Sequence, residues 1–315
     1  MSRYRRILLI LSDVNQPTPA LHRARTLATA SGAELRIHLH VDHRSIDALS
    51  YVNKTVANMA QATRLFQSRD WLAEIVSDLR ECGLSADGDV HWENHDAKSI
   101  LMSTLDWQPD LIIKDVAKST GLRTLFPISI DQDLLRLCPF PLYLVHREEE
   151  GLPLSVAAAV DPSHAWHRNG ALNERVIRAG LQYSSVANAR FTLLSVFDHH
   201  TDSAITSNDK YDSKRHTHKS QIATLGQHFG VAPEQIYVHY GDAAQRIARL
   251  VRESGVQLLV IGSLCRLGLL HLFSASVAAK LLDEVNCDLL AIKPAGYANE
   301  FTSMYGTSSP QPHQY

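Results

Sequence analysis

The chain has 315 residues, 45% of them hydrophobic and 20% charged, with a formal net charge of −2. Length points to two domains of about 100–200 residues, each able to bury a core without metals or disulfides. The near-neutral balance, without a run of Lys and Arg, argues against nucleic-acid binding, and no apolar stretch reaches the roughly 20 residues that cross a membrane.

The first apolar run, residues 7–11, breaks at Ser12-Asp13. It is too short for a secretion signal and reads as a buried strand. Cys82, Cys138, Cys265 and Cys287 are widely spread with no CxxC pair, which suits a reducing cytoplasm, and all but Cys265 read as small buried hydrophobes. A helix is expected over 20–31, with Gly32 as its stop, then a strand over 34–43, a longer helix over 56–81 and a third strand over 89–93. A short helix at 97–105 and strands at 110–113 and 142–145 complete the first half.

The same plan then repeats. Strands are expected at 156–160, 190–199, 235–239, 257–261 and 289–292, with helices at 173–188, 213–229 and 243–253. The second strands of the two halves align without a gap, and both end in Asp-His. Strands alternating with helices imply parallel pairing through right-handed crossovers. The fold class is therefore α/β, two tandem doubly wound five-stranded parallel sheets of Rossmann-like type. The domains run over 1–147 and 148–297, followed by a flexible tail at 298–315. Residues 199–219, rich in Ser, Thr, Asp, Lys and His, read as a second mobile segment.

Open parallel sheets bind small molecules at the carboxyl ends of their strands, where strand order reverses. In the second half this places Asp161, the Phe197-Asp198 corner and the run from Gly262 together. A Gly at the strand end lets backbone amides approach a phosphate, and a helix starting near residues 274–276 aims its N-terminus at the same place. Ser276 adds a hydroxyl.

This loop resembles that of the universal stress protein family, and the order of elements resembles its two-domain, UspE-like subgroup over residues 5–294. Nucleotide-binding members of that family carry Gly, two residues, Gly, nine residues, Gly, then Ser or Thr. Gly262 and Ser276 hold the outer positions here, while Cys265 and Ala275 replace the inner glycines. The resemblance implies an adenine-nucleotide-type fold and a ligand set of Asp161, Asp198, Gly262, Ser263, Cys265, Ala275, Ser276 and Val277, with Asp161 on the sugar. It also implies that the halves pair as an internal pseudo-dimer and that two chains can form a homodimer. In the first half Lys114, Ala117 and Ile128 replace the glycines, leaving Asp13, Asp42, Lys114 and Ser129 as a degenerate pocket.

The 17 histidines include His38 and His40, two apart on one strand face, with His43 close behind. Such imidazoles hold zinc when they converge and otherwise satisfy backbone or solvent. His91 and His95 flank Glu93, while His216 and His218 fall in the expected mobile segment. No nucleophile elbow, P-loop or HExxH motif is present. Three readings stand, the first two being a sensor binding ATP or AMP in the second half and a ligand-free interaction scaffold. A slow ATPase using Asp161 is the third.

Overall fold

The computed structural model describes residues 3–12, 16–41, 46, 48, 50–92, 96–117, 130–149, 151–162, 168–197, 208–263 and 277–305, with side chains omitted at 168–170 and 208–212. The chain forms two compact units. One holds residues 2–126 and 143–152, the other residue 1, residues 127–142 and residues 153–315.

The first unit contains β1 (Arg6–Ser12), α1 (Pro19–Ser31), β2 (Glu34–His40), α2 (Lys54–Glu81), β3 (Ala86–His91), α3 (Ala97–Met102), β4 (Leu111–Asp115) and β5 (Leu142–Val145). The strands lie in the order β3-β2-β1-β4-β5. Strand β1 pairs in parallel with both β2 and β4, with Ile7 opposite Leu35 and Leu111. Residues Ile7 to Leu11 are at most 1% exposed. A strand covered on both faces needs such an unbroken apolar run. The Asp110 carboxylate seats the start of β1 by accepting from the Arg5 and Arg6 amides at 2.7 and 3.0 Å. Helix α1 begins at Thr18, whose hydroxyl accepts from the Leu21 amide, and ends at Gly32, whose φ of 69° is left-handed. The buried Arg23 of α1 donates to the carbonyls of Glu149 and Gly151, tying the helix to the segment after β5.

The second unit contains α4 (Ile130–Leu137), β6 (Ser155–Ala159), α5 (Arg168–Ala187), β7 (Arg190–Phe197), α6 (Asn208–His228), β8 (Ile236–Tyr240), α7 (Ala243–Ser254), β9 (Leu258–Gly262), α8 (Val277–Glu284), β10 (Asp288–Ile292) and α9 (Tyr297–Tyr305). Its order, β8-β7-β6-β9-β10, repeats that of the first unit, again with parallel pairs. Helix α4 belongs to this unit although it precedes β5 in the chain.

Three expectations change. Residues 208–219, read as mobile, form the first half of α6, and His218 is 2% exposed rather than solvated. Its composition is polar, but Ile222 and His218, one turn apart, supply a buried contact line. The expected tail begins as α9, anchored by the buried Tyr297 and Phe301. Cys82 is exposed, whereas Cys138 and Cys287 are buried; burial pushes the Cys138 thiol up to about 12. Among the described residues no helix is long and apolar enough to cross a membrane.

Close packing of helix on sheet sets one glycine. A Cβ on Gly180 of α5 would lie 2.6 Å from the Phe191 ring of β7. Gly180→Val should destabilise the protein by about 1–3 kcal/mol through overpacking, read as a lower urea midpoint with an unchanged slope.

Candidate functional site

In the second unit, β6 and β9 are neighbours at the point where strand order reverses, and their carboxyl ends open the crevice. Asp161 follows β6 directly and is exposed. Its backbone is clamped by the Asn173 side chain of α5: the Asp161 amide donates to Oδ1 at 3.3 Å, and Nδ2 donates to the Asp161 carbonyl at 2.6 Å. The carboxylate thus stands on a fixed backbone, as a ligand contact requires.

Gly262 is the last residue of β9, opposite Ile292. Its glycine is explained by space rather than by a left-handed turn: a Cβ would lie 2.8 Å from Leu172 of α5. Ser263 is buried, and its hydroxyl donates to the Leu135 carbonyl at 2.8 Å. Lys293, 3% exposed, donates to the carbonyls of Leu135 and Arg136 at 3.0 and 2.7 Å and to Ser263 Oγ at 3.0 Å. Tyr297 adds its hydroxyl to the Arg136 carbonyl at 3.0 Å. These are the last carbonyls of α4, which no intrahelical amide can satisfy and which a cation complements. Ser263 therefore sits within a buried helix cap. Val277 opens α8 and is 42% exposed. Asp198, Cys265, Ala275 and Ser276 lie outside the described residues.

The sequence reading missed a polar chain beneath Asp161. Ser195, buried in β7, donates to the Val160 carbonyl at 2.8 Å, and its oxygen lies 2.8 Å from His218 Nε2. With the serine proton given to the carbonyl, His218 must donate through Nε2. Burial pushes the His218 pKa down, against a smaller upward pull from Asp161. Ser195 and His218 thus form a buried pair within the electrostatic reach of Asp161, but Ser195 is 1% exposed and its proton is committed to a carbonyl, so the pair holds the end of β6 rather than supplying a nucleophile. Phe197 stands edge-on to His218, and Arg215 lies 4.0 Å over the Tyr240 ring.

Beside Pro162 and Asn173 a cavity of about 740 Å³ opens between α5 and α6. Arg175 and Arg178 line one wall, and Ser220, Thr224 and His228 line the other. Arg175 Nε is fixed on the Lys293 carbonyl at 2.9 Å. The volume falls in the range of small-ligand pockets, and the charged groups of the α5 wall are Arg175 and the pair of Arg178 with Glu174, 3.6 Å apart.

In the first unit the sheet register corrects one correspondence. The Val116 amide donates to the Val145 carbonyl as the Ser263 amide donates to that of Ile292. Asp115, not Lys114, therefore stands where Gly262 stands. The Ile113-Lys114 and Ile261-Gly262 pairs look alike in sequence but are offset by one residue in register. The Asp115 carboxylate accepts from the Ala20 amide at 2.9 Å, at the N-terminus of α1. Lys114 lies in β4, 3% exposed, and donates to the Asp115 carbonyl. An acid already occupies the amide-rich end of the crevice where an anion would sit. Asp13, Asp42, Ser129 and His43 lie outside the described residues.

His38 and His40 do meet a third imidazole, His91 of β3, with ring centroids 4.4 Å and 4.8 Å from it. His40 and His91 stack at 17°, which keeps their nitrogens from converging. No group of three or more His, Cys, Asp or Glu among the described residues could hold a metal ion. Burial, the neighbouring His91 and Arg36 push the His38 pKa down to about 3.

A model described as the universal stress protein family matches residues 3–146 and 170–293. Universal stress protein E of Photorhabdus laumondii is 24% identical over 305 residues, covering 94% of this chain and 97% of that protein. The Escherichia coli K12 protein of the same name is 22% identical, covering 94% and 96%. Among solved structures, a functionally unknown protein from Pseudomonas aeruginosa PAO1 superposes with a TM-score of 0.74 at 20% identity, covering 97% and 98%. A universal stress protein from Archaeoglobus fulgidus gives 0.60 at 11% identity, covering 91% and 96%.

Two measurements check the local chemistry. Lys293→Met removes the charged donor from the Leu135 and Arg136 carbonyls, which keep Ser263 and Tyr297, and should cost about 1–3 kcal/mol in urea unfolding. Because the folded-state pKa of His38 lies below that of the unfolded chain, its contribution is complete above about pH 6.5 and is lost as pH falls toward 3. Wild type should therefore lose up to about 1.4 kcal/mol per pH unit more than His38→Leu across that window. Equal slopes for the two proteins would contradict this.

Proposed function

Because the chain belongs to the universal stress protein family, as a tandem of two family domains, we propose that it is a non-catalytic stress-response sensor of the cytoplasm whose second half binds a nucleotide, ATP or AMP. The observation that carries this reading is the difference between the two strand-four ends. Gly262 keeps the second crevice clear of a side-chain charge, while Asp115 fills the first with a carboxylate. Asp161, held by Asn173, offers a sugar contact, and Arg175 in the neighbouring cavity offers a cation to phosphate. The ligand set in this reading keeps Asp198, Cys265, Ala275, Ser276 and Val277 around it.

A second reading, a ligand-free interaction scaffold, is favoured by a specific observation. The Ser263 hydroxyl and the Lys293 ammonium are both spent on the carbonyls of α4.

Titration calorimetry of ATP and AMP separates the two. The sensor reading expects measurable heat with wild type and about tenfold weaker affinity in Asp161→Ala and in Arg175→Ala. An absence of heat at millimolar nucleotide would count heavily against the sensor reading, and a nucleotide that co-purifies with the protein would overturn the scaffold reading. Phosphate release lost in Asp161→Ala would instead establish a weak ATPase.

A further inference from the structure

Helix α2 presents an apolar seam to solvent. Val52 precedes the helix and is 84% exposed; Val56, Met59 and Phe66 follow at 46%, 67% and 71%. With Thr63 between them, the spacing alternates four and three residues, the seam of a two-helix coiled coil. The inner face of the same helix is already used: Ala57, Ser68, Leu72, Val76 and Leu79 are buried. Met59 and Phe66 each lie two residues from a buried position, about 200° around the helix, so the seam points away from the sheet. The corresponding helix of the second unit, α6, has no exposed large hydrophobic among its described side chains. The seam is thus not a by-product of the shared fold.

We propose that this seam is a self-association surface, on which α2 of a second copy of the chain lies antiparallel, with the two-fold axis near residues 61 and 62. In that register Val56 meets Phe66 and Met59 meets Thr63 of the other copy. The positions flanking the seam near the axis are Ala60 and Ala62, small enough for close approach of two backbones. Charge selects this direction. The seam continues four residues past Phe66 to Asp70, which is exposed. In the antiparallel arrangement each Asp70 lies opposite Val52, just before the first turn of the other helix, beside the positive end of its dipole and Lys54. In a parallel pair Asp70 would face its own copy across the seam, which is repulsive.

The test is the mass of the full chain in solution, by sedimentation velocity over a dilution series. Wild type should pass from dimer to monomer on dilution, and Phe66→Glu should weaken the dimer about tenfold or more without changing the urea midpoint of the dilute monomer. Ala62→Cys in a Cys82→Ser background should form a disulfide-linked dimer under mild oxidation. That product requires residues 62 to meet at the axis, which a parallel pair does not allow. A monomer at every concentration, or a dimer indifferent to Phe66→Glu, overturns the proposal. So does a wild-type monomer that Phe66→Glu removes from vesicles of anionic lipid, which would make the seam a membrane contact.

Discussion

Parallel pairing of the first strand of each unit with its second and fourth strands is the constraint on which the other features rest. It buries β1 on both faces, which demands the unbroken run from Ile7 to Leu11. It sends the chain in opposite directions on either side of that strand, which opens a crevice at the carboxyl ends. It also brings the end of the fourth strand beside the first helix. What stands there decides whether the crevice offers backbone, a charge or a hydrophobic plug.

The two units answer that question differently. In one, Gly262 exists because Leu172 has taken the space a Cβ would need. In the other, Asp115 uses its carboxylate to satisfy an amide of the α1 first turn. The first solution leaves the end of the fourth strand without a side-chain charge. The second supplies an internal anion that competes with any external one. Two copies of one fold thus differ at this point: one strand end carries no side chain, and the other answers its own helix terminus.

Much of the fold could be read before any coordinate. The buried strands are continuous apolar runs, and their alternation with helices forces parallel order, so the strand positions of both units follow from residues such as Val156 to Val160 and Leu258 to Ile261. What failed depends on contacts distant in the chain. His218 sits in a polar stretch that looks solvated, and only Ser195 and Phe197, about twenty residues earlier, make it a buried group. Asp115 was passed over for Lys114 because register is set by hydrogen bonds to β5, not by local similarity. Ser263 was read as a ligand residue from its place beside a glycine, whereas its partner, the Leu135 carbonyl, lies 128 residues away. The seam on α2 left a legible signal, the four-three spacing from Val52 to Phe66, but spacing alone does not say which side of a helix the sheet has taken.

The cap on α4 has a consequence for how the polypeptide is made. Leu135 leaves the ribosome 158 residues before the lysine that holds its carbonyl. At about 5–20 residues per second, that gap lasts roughly ten to thirty seconds. Throughout that interval the nascent helix has no ammonium at its end and no finished unit to join. Completion of the second unit is therefore gated by translation of its last strand, and the short helix is the piece that must wait.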